Sequence, residues 1–520
     1  NGIGKTLEEK IHALDETGDI PTAKRLRDKF PTGLISVMHL PGFGPKRARR
    51  LYDELGIDSL DALRAAAEQQ RIRGLRGFGA KVEETLLKTL AESPEGGPAP
   101  RILLSRAQNI AEQIVGALRS HPAAERVEVA GSLRRQTDSV KDLDIIATAA
   151  DPTALSAALA ELPLIESVLS AGDAGARVLT HSGMKVDLKV VEPDQFGNVL
   201  QHFTGSKAHN VALRESAVRR GLHVSEYGIL DDETGETLRC ATEEEVYERL
   251  GLEWIPPELR EGRGELEAAA SGQLPKLVTQ EDIRGDLHCH TTLSDGRQTL
   301  EQMAQGAIAR GLEYLAVTDH SASHGFGDHV TPEALEARIE EAHALNATLD
   351  DFELLVGTEV NILTDGSVDY EDELLARLDW VIASVHTSFS MGEREMTDRM
   401  VAAIEHPLVD AIGHPTGRKI ETRPPYAIDI ERVIEAAART GTMIEINASP
   451  DRRDLNELHA RAAAAAGVNI LVNTDAHSVR NFGLLPFGIA TARRAWLTPE
   501  QVANTRPWAE FAPLRKRAAG

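Results

Sequence analysis

The second half of the chain spaces side chains able to ligate metals along seven short strings: His288-Cys289-His290, Ser294-Asp295-Gly296, Thr318-Asp319-His320, Gly357-Thr358-Glu359, Ser384-Val385-His386, Gly413-His414-Pro415 and Thr474-Asp475-Ala476-His477. Most of them close an apolar, strand-like run. Successive side chains of a strand point to opposite faces, so His-x-His and Asp-x-His each place two ligands on one face. A single histidine at a strand end is ordinarily a satisfied polar residue. Six histidines, two aspartates and one glutamate in the same placement point instead to a metal centre, with His288, His290, Asp295, His320, Glu359, His386, His414, Asp475 and His477 as its ligands. Imidazole mixed with carboxylate suits Zn²⁺, Mn²⁺ or Fe²⁺ better than Mg²⁺ or Ca²⁺. Cys289 alternates away from its two histidine neighbours and reads as a small buried apolar group. Asp319, beside a ligand, reads as a support for it. His324 and Arg418 lie near ligand motifs and are candidates to meet a substrate phosphate.

A second constellation lies upstream. Gly131-Ser132-Leu133-Arg134-Arg135 is followed, after six intervening residues, by Asp142-Leu143-Asp144-Ile145-Ile146, and Lys185-Val186-Asp187-Leu188-Lys189 comes further on. On strands, Asp142 and Asp144 share a face while Leu143 and Ile145 turn to the core; Asp187 is presented in the same way. Three such carboxylates can hold two Mg²⁺ ions, which activate an attacking oxygen and stabilise leaving pyrophosphate. Ser132 and Arg135 are placed to hold a triphosphate at the glycine turn. These residues alone fit any nucleotidyltransferase.

Both sets need scaffolds. From Asp282 onward, runs such as Leu312–Thr318, Leu354–Glu359, Trp380–His386, Met443–Asn447 and Asn469–Thr474 alternate with amphipathic helices. That βα alternation predicts a barrel of parallel strands whose C-terminal ends open onto one face. Between 101 and about 255, helical stretches alternate with strand-like runs such as Val127–Ala130, Asp144–Ala147 and Val186–Val191. Ala91–Pro100 and Ile255–Gly272, rich in Pro and Gly, read as connectors.

Residues 1–90 read as short helices separated by glycine turns. Gly2-Ile3-Gly4-Lys5, Pro41-Gly42-Phe43-Gly44-Pro45-Lys46 and Arg76-Gly77-Phe78-Gly79-Ala80-Lys81 share one spacing. Paired glycines admit a close ligand, and the free N–H groups of the next helix attract a phosphate oxygen. Gly42, Gly44, Lys46, Gly77, Gly79 and Lys81 therefore read as a grip on a DNA backbone that ignores base sequence.

At 520 residues the chain is long enough for about three to five domains. A 42% hydrophobic content excludes general disorder. The net charge of −24 argues against a uniformly basic surface, but the charge is unevenly spread. Residues 1–100 carry 16 basic against 15 acidic groups, whereas residues 271–520 carry 23 against 38. Two cysteines, Cys240 and Cys289, cannot make a disulfide framework, so a reducing cytosol is expected. No apolar run reaches the ~18 residues of a membrane span. The start at Asn1, inside a glycine turn, reads as the loss of a leading segment.

The glycine repeats resemble the helix-hairpin-helix motif. Residues 1–255 resemble the family X DNA polymerases, most specifically at Gly131–Asp144, Asp187 and Phe203–Arg214, where His202-Phe203-Thr204-Gly205-Ser206 looks like the junction of palm and thumb. Residues 282–500 resemble the PHP (polymerase and histidinol phosphatase) domain, and the whole is similar to a bacterial family X polymerase with a C-terminal PHP domain. The resemblance implies a multidomain α+β and α/β fold. Its parts are a helix-hairpin-helix region at 1–95 (a truncated 8 kDa-like part plus fingers), a nucleotidyltransferase palm at 101–195, a thumb at 196–258, a linker at 259–281 and a distorted (βα)7 barrel at 282–510.

The resemblance also implies roles. Asp142, Asp144 and Asp187 become the catalytic carboxylates for Mg²⁺ or Mn²⁺, and Ser132 and Arg135 the triphosphate ligands. Phe203 and Gly205 would line the sugar pocket, Asn210 would face the nascent base, and Arg214 would lie near the template. The barrel would hold a trinuclear Mn²⁺ or Zn²⁺ centre and hydrolyse phosphoesters as an exonuclease, a phosphatase or an abasic-site endonuclease. Gapped or nicked duplex DNA and dNTPs are the implied partners, without a membrane. A monomer in the bacterial cytoplasm, associated with the nucleoid and engaged in repair, is expected.

The chain departs from vertebrate members at His202, where they have Tyr, and at Val140-Lys141, where they have Ser-Gly. Lys10 aligns with their Schiff-base lysine, yet Glu8 and Glu9 beside it favour an ordinary solvated lysine. Two other readings stay open: a PHP phosphatase with a regulatory N-terminal half, and a DNA-end scaffold with an inactive palm.

Overall fold

The computed structural model describes residues 30–31, 33–38, 44–75, 78–79, 82–84, 86–87, 90, 101–323 and 330–516. Outside these lie Gly2–Lys5, Lys10, Gly42, Gly77, Lys81, the Ala91–Pro100 connector and His324. The chain divides into two compact units, residues 1–101 and 102–520. The fold is multidomain and mixes α+β with α/β parts.

The described part of the first unit is helical. Helices Gly33–Met38, Pro45–Leu55 and Leu60–Glu68 bury Leu34, Val37, Leu51, Leu63 and Ala67 in one core. Gly56 ends the second helix with φ 66°, and Ser59 caps the third by accepting from Ala62 N at 3.3 Å. Gly44 is the N-cap residue of Pro45–Leu55, with Lys46 exposed in the first turn. Gly79 accepts from Val82 N (2.9 Å) and Glu83 N (3.2 Å). Glu83 is buried because Arg73 donates to it from Nε (2.6 Å) and from its backbone N–H (2.9 Å).

The second unit begins with seven strands: β1 (Ile102–Leu103), β2 (Ala124–Val129), β3 (Ser139–Val140), β4 (Asp142–Ala149), β5 (Ile165–Gly172), β6 (Gly175–Thr180) and β7 (Lys185–Val190). β1 and β3 form a ribbon, and the rest a sheet of order β2-β4-β7-β6-β5. Only β4 and β7 are parallel neighbours. Helix Leu104–Arg119 packs Ala107, Ala111, Ile114 and Leu118 onto this sheet with Leu143, Ile145 and Val186. Helices Phe196–Thr204 and Lys207–Val218 follow. Next come a small sheet of β8 (Leu222–Ser225), β9 (Gly228–Asp231) and β10 (Thr237–Leu238), and helix Glu243–Arg249. The stretch 255–272 carries helix Glu265–Ala270 and the buried Arg260 and Glu265, the latter 2.8 Å from His209 Nδ1.

The barrel strands are β11 (Gly285–Asp286), β12 (Tyr314–Val317), β13 (Glu353–Asn361), β14 (Trp380–Ser384), β15 (Ala411–Ile412), β16 (Met443–Asn447) and β17 (Ile470–Asn473). All are parallel and each pairs with its neighbour in sequence. Beyond β11 and β17 the chain ends meet: Cys289 bridges Ala476, His290 N donates to Ala476 O at 2.8 Å, and Leu287 N donates to Asn473 Oδ1 at 3.1 Å. Leu287, Tyr314, Leu355, Trp380, Met443 and Leu471 fill the interior, and Phe511 from the C-terminal segment packs with them. Asn504 secures that segment by donating to Gly285 O and Val472 O, each at 2.8 Å. Among the described residues no helix is long and apolar enough to cross a membrane.

Candidate active sites

In the palm-like sheet, the parallel register sets Asp144 directly beside Asp187, with Asp142 two residues earlier on the same face of β4. Burial, reinforced by the neighbouring Asp142 and Asp187 charges, pushes the Asp144 carboxyl up to about 7. A cluster of three carboxylates with one reluctant to ionise is a site that favours divalent cations. Gly131 sits at φ 66°, and a Cβ there would lie 2.3 Å from Asp144 Oδ2. Glycine at that turn is therefore required by both backbone and space. Arg177 Nε donates to Asp187 Oδ2 at 3.0 Å.

The other polymerase-type candidates surround this turn. Arg135 Nε donates to Glu261 Oε1 at 3.1 Å and its Nη1 to the Thr204 carbonyl. Lys189 Nζ stands 4.5 Å from the Phe203 ring centre. Gly205, in the left-handed region, lies against Arg135. Asn210 is largely buried, donating to His202 O at 2.7 Å and accepting from Gln201 Nε2 at 3.0 Å; Arg214 Nε donates to Asn210 O at 3.1 Å. Burial lowers the His202 imidazole below its ordinary value. Ser132, on the short helix Gly131–Arg134, has its carbonyl bonded by Thr137 Oγ1 at 3.2 Å.

Sequence reasoning left Arg134 without a role. Its guanidinium donates to Glu243 at 2.6 and 2.8 Å and to Thr204 Oγ1 at 2.7 Å, while Arg260 meets Glu243 from the other side at 2.6 Å. Burial opposes the Glu243 charge, but Arg260 and Arg134 outweigh it and pull the carboxyl down to about 2. The depressed value means a stabilising contribution present above the unfolded value of 4.5 and lost as pH falls through about 2. Glu243→Gln is expected to cost roughly 3–5 kcal/mol in urea unfolding at pH 7. The gap between wild type and variant should narrow at pH 3. An equal gap at both pH values would assign the loss to packing instead.

At the barrel mouth the nine predicted ligands converge. Glu359, two residues before the end of β13, is the hub. His414 Nε2 lies 3.0 Å and His386 Nε2 3.2 Å from its Oε1, and His320 Nδ1 2.9 Å from its Oε2. His288 Nε2 is 3.4 Å from Glu359 Oε1 and 3.5 Å from Asp475 Oδ1, and His290 Nε2 is 3.0 Å from Asp475 Oδ1. His477 Nε2 lies 3.1 Å from Asp295 Oδ2. Ligand atoms each about 2.1 Å from one ion stand roughly 3.0–3.5 Å apart, which is this spacing. Among the described residues the buried His290 Nδ1 has no hydrogen-bond partner, which leaves its lone pair open to a cation.

Among the described residues, three groups could each hold an ion: His290, Asp295, His320 and His477; His288, His290 and Asp475; and His320, Glu359 and His386. Burial disfavours ionising the carboxyls, yet the surrounding imidazoles hold Glu359 and Asp475 well below the ordinary range. Burial drops His290 and His414 to about 4, leaving them neutral and able to ligate. His414 (φ 29°) and Asp475 (φ 53°) take left-handed backbone. Such backbone costs about 1–3 kcal/mol each and gathers at functional sites. A Cβ on Gly413 would lie 2.5 Å from Ser384 Oγ and 3.3 Å from His288 Cε1, so no larger residue can precede His414 there.

Further residues orient the ligands. Glu445, buried on β16 and not singled out from sequence, lies 2.7 Å from His288 Nδ1 and accepts from His414 N (2.8 Å) and Asn473 Nδ2 (3.1 Å). Its only sequence signal is a lone charge within the apolar run Met443–Asn447. Asp319 does support the site, holding the Asp295 loop through Thr291 N and Ser294 Oγ, both at 2.7 Å. Cys289 is fully buried, as expected. Arg418 does not line the mouth; its guanidinium donates to Asp138 Oδ2 at 2.9 Å. Lys419, Arg423 and Arg452 line the cleft of about 610 Å³ over the predicted ligands, and among the described residues the buried Arg452 Nη1 has no hydrogen-bond partner. They are the cations that sequence reasoning missed.

Family models match the chain in three places: a SAM-like helix-hairpin-helix tandem at residues 34–92, a DNA polymerase beta thumb at 199–261 and a PHP domain at 286–449. In that order, with the carboxylate pair of strands between the first two, they define a beta-type DNA polymerase continued into a PHP barrel. The chain is 39% identical over 519 residues, 99% of its own length and 90% of the relative's, to the DNA polymerase/3′-5′ exonuclease PolX of Bacillus subtilis (strain 168). It belongs to this PolX family of family X polymerases. A stretch of 42% of the chain is also 35% identical to a probable phosphatase of Thermoanaerobacter sp. (strain X514), covering 89% of that protein. A probable phosphatase of Caldanaerobacter subterraneus subsp. tengcongensis is 33% identical over a similar stretch, covering 86% of its length.

Proposed function

We propose that the chain fills short gaps in duplex DNA by adding nucleotides to a 3′-hydroxyl, and resects 3′ ends at the barrel mouth, so that one polypeptide cleans an end and then extends it. The observation that carries this reading is the presence on one chain of a three-carboxylate strand pair and a nine-ligand barrel mouth, in a family whose Bacillus subtilis member is described as both polymerase and exonuclease.

In the palm, Asp142, Asp144 and Asp187 hold Mg²⁺ or Mn²⁺, and Ser132 and Arg135 bind the triphosphate. Phe203 and Gly205 bound the sugar pocket; Asn210 and Arg214 lie toward the base and template. Bound there, the metals would supply electrostatic activation of the 3′-oxygen and of the leaving pyrophosphate. The chain's own part is to hold three like charges together. Asp144, half-buried beside the other two and with its carboxyl pushed up to about 7, would be the one to lose its proton when cations bind.

In the barrel, the nine candidate ligands would hold three ions of Mn²⁺ or Zn²⁺. Lys419, Arg423 and Arg452 neutralise the phosphodiester entering the cleft. Gly42, Gly44, Lys46, Gly77, Gly79 and Lys81 grip the DNA backbone. The setting is DNA repair by a monomer in the bacterial cytoplasm, at the nucleoid. The likeness to probable phosphatases favours a second reading of the barrel alone, as a phosphomonoesterase on 3′-phosphate ends.

A 5′-labelled gapped duplex carrying either a 3′-hydroxyl or a 3′-phosphate tests both. With dNTPs and Mg²⁺ the hydroxyl primer should lengthen, and with Mn²⁺ and no dNTPs it should shorten. EDTA should stop both reactions. A primer unchanged under every condition rejects the proposal. Conversion of 3′-phosphate without shortening selects the second reading of the barrel.

A further inference from the structure

Three guanidinium groups of the barrel end on the palm turn that links Ser132 to Asp142. Arg494, on helix Leu485–Arg494, donates from Nη1 to Arg135 O at 2.7 Å and to Glu261 Oε1 at 2.9 Å. Arg453 donates from Nη2 to Gln136 O at 3.0 Å, and its Nη1 stands 3.2 Å from Asp138 Oδ1. Arg418 donates from Nη1 to Asp138 Oδ2 at 2.9 Å and from Nη2 to the Arg453 carbonyl. Arg453 is fully buried, Arg494 nearly so, and Arg418 partly exposed.

These contacts fall on successive parts of one turn. Gln136 takes φ 57°, a backbone that only a surrounding structure sustains in a non-glycine residue, and its carbonyl is Arg453's acceptor. Both carboxylate oxygens of Asp138 face barrel guanidiniums rather than the palm. Glu261 is shared between Arg494 and Arg135, so the barrel also sets how firmly Arg135 is held. Burying this many charges is worthwhile only in one defined geometry, and that geometry is the shape of the turn.

We propose that Asp138 and the barrel residues Arg418, Arg453 and Arg494 form a clamp that positions the triphosphate turn, so that the PHP barrel sets the polymerase's affinity for the incoming nucleotide. Asp138 and Arg418 are positioning residues: they act through Ser132 and Arg135. The inference rests on the reading of those two as triphosphate ligands.

The test is steady-state filling of a one-nucleotide gap by the full chain with Mg²⁺, for wild type, Asp138→Ala, Asp138→Glu, Arg418→Gln and Ser132→Ala. Asp138→Ala and Arg418→Gln are expected to raise the KM for dNTP about tenfold, within the range of ordinary site-to-site coupling, with kcat changed less than about threefold. Asp138→Glu, which keeps the carboxylate, should recover most of the affinity. Thermal unfolding accompanies each variant; if Asp138→Ala does not fold, Arg418→Gln decides. A KM within about twofold of wild type for Arg418→Gln, with Ser132→Ala still raising KM, overturns the clamp and leaves the triphosphate reading standing. An unchanged KM in Ser132→Ala as well removes both. A fall in kcat alone overturns the clamp, since a misplaced triphosphate turn must weaken binding.

Discussion

Replacing Asp142 and Asp144 together by alanine should lower gap filling by roughly 10³-fold or more, about 4 kcal/mol of transition-state stabilisation, while 3′-end resection continues. The size of the effect follows from the register. Asp144 is paired directly with Asp187 across parallel strands, and Asp142 shares its face, so the three carboxylates form one charge cluster and not three separate contacts. Removing two of three leaves Asp187, already bonded to Arg177, as the last carboxylate for the divalent ions. Asp144→Asn alone keeps the shape beside Gly131 and should still lose most of the activity. The measurement is primer extension on a gapped duplex, with resection of the same labelled strand as internal control. Extension that survives in the double variant refutes the palm assignment. Loss of both reactions together would indicate one shared site.

The complementary variants act at the barrel. His288→Ala and Glu359→Gln should each abolish Mn²⁺-dependent resection, by roughly 10³-fold, and spare extension. Glu359 is the stronger probe because imidazoles of His320, His386 and His414 all stand within 3.2 Å of it. A neutral amide cannot balance the charge of ions shared among them. His288→Ala additionally leaves Glu445 buried without its 2.7 Å partner, so the damage extends to the orientation of His414. Elemental analysis gives a readout independent of catalysis: bound metal per chain should fall in both variants. Wild-type metal content together with wild-type resection would refute the assignment of these ligands.

Much of this was legible in the sequence because it depends on local periodicity. Strand alternation is enough to put Asp142 and Asp144 on one face, and the rule that parallel barrel strands end on one rim is enough to gather His288 through His477. What was not legible depends on partners far away in the chain. Arg418 lies four residues from a ligand, yet its partner is Asp138, 280 residues earlier. Nothing in the composition of Gly413–Arg418 reveals that one end of the loop turns into the barrel and the other toward the palm. Glu445 looks like a strand residue until the barrel closes around His288. Arg452 and Arg423 are ordinary surface arginines by sequence, and only the cleft makes them neighbours of the candidate ligands. The stretch 255–272 reads as a connector from its Pro and Gly residues, but Arg260 and Glu265 find buried partners in Glu243 and His209.

The meeting of the barrel's two chain ends has a consequence for how the domain assembles. His288 and His290 leave the first strand, and Asp475 and His477 leave the last. Two of the three ion-sized groups draw ligands from both sides of that seam. An ion seated there is a cross-link between segments some 185 residues apart, closing a large loop as a disulfide would, with stabilisation that grows with ion concentration. The ion would add to a seam that Cys289, His290 and Ala476 already close through their backbones. A chain ending before the last strand would lack Asp475 and His477, and with them one member of each of those two groups.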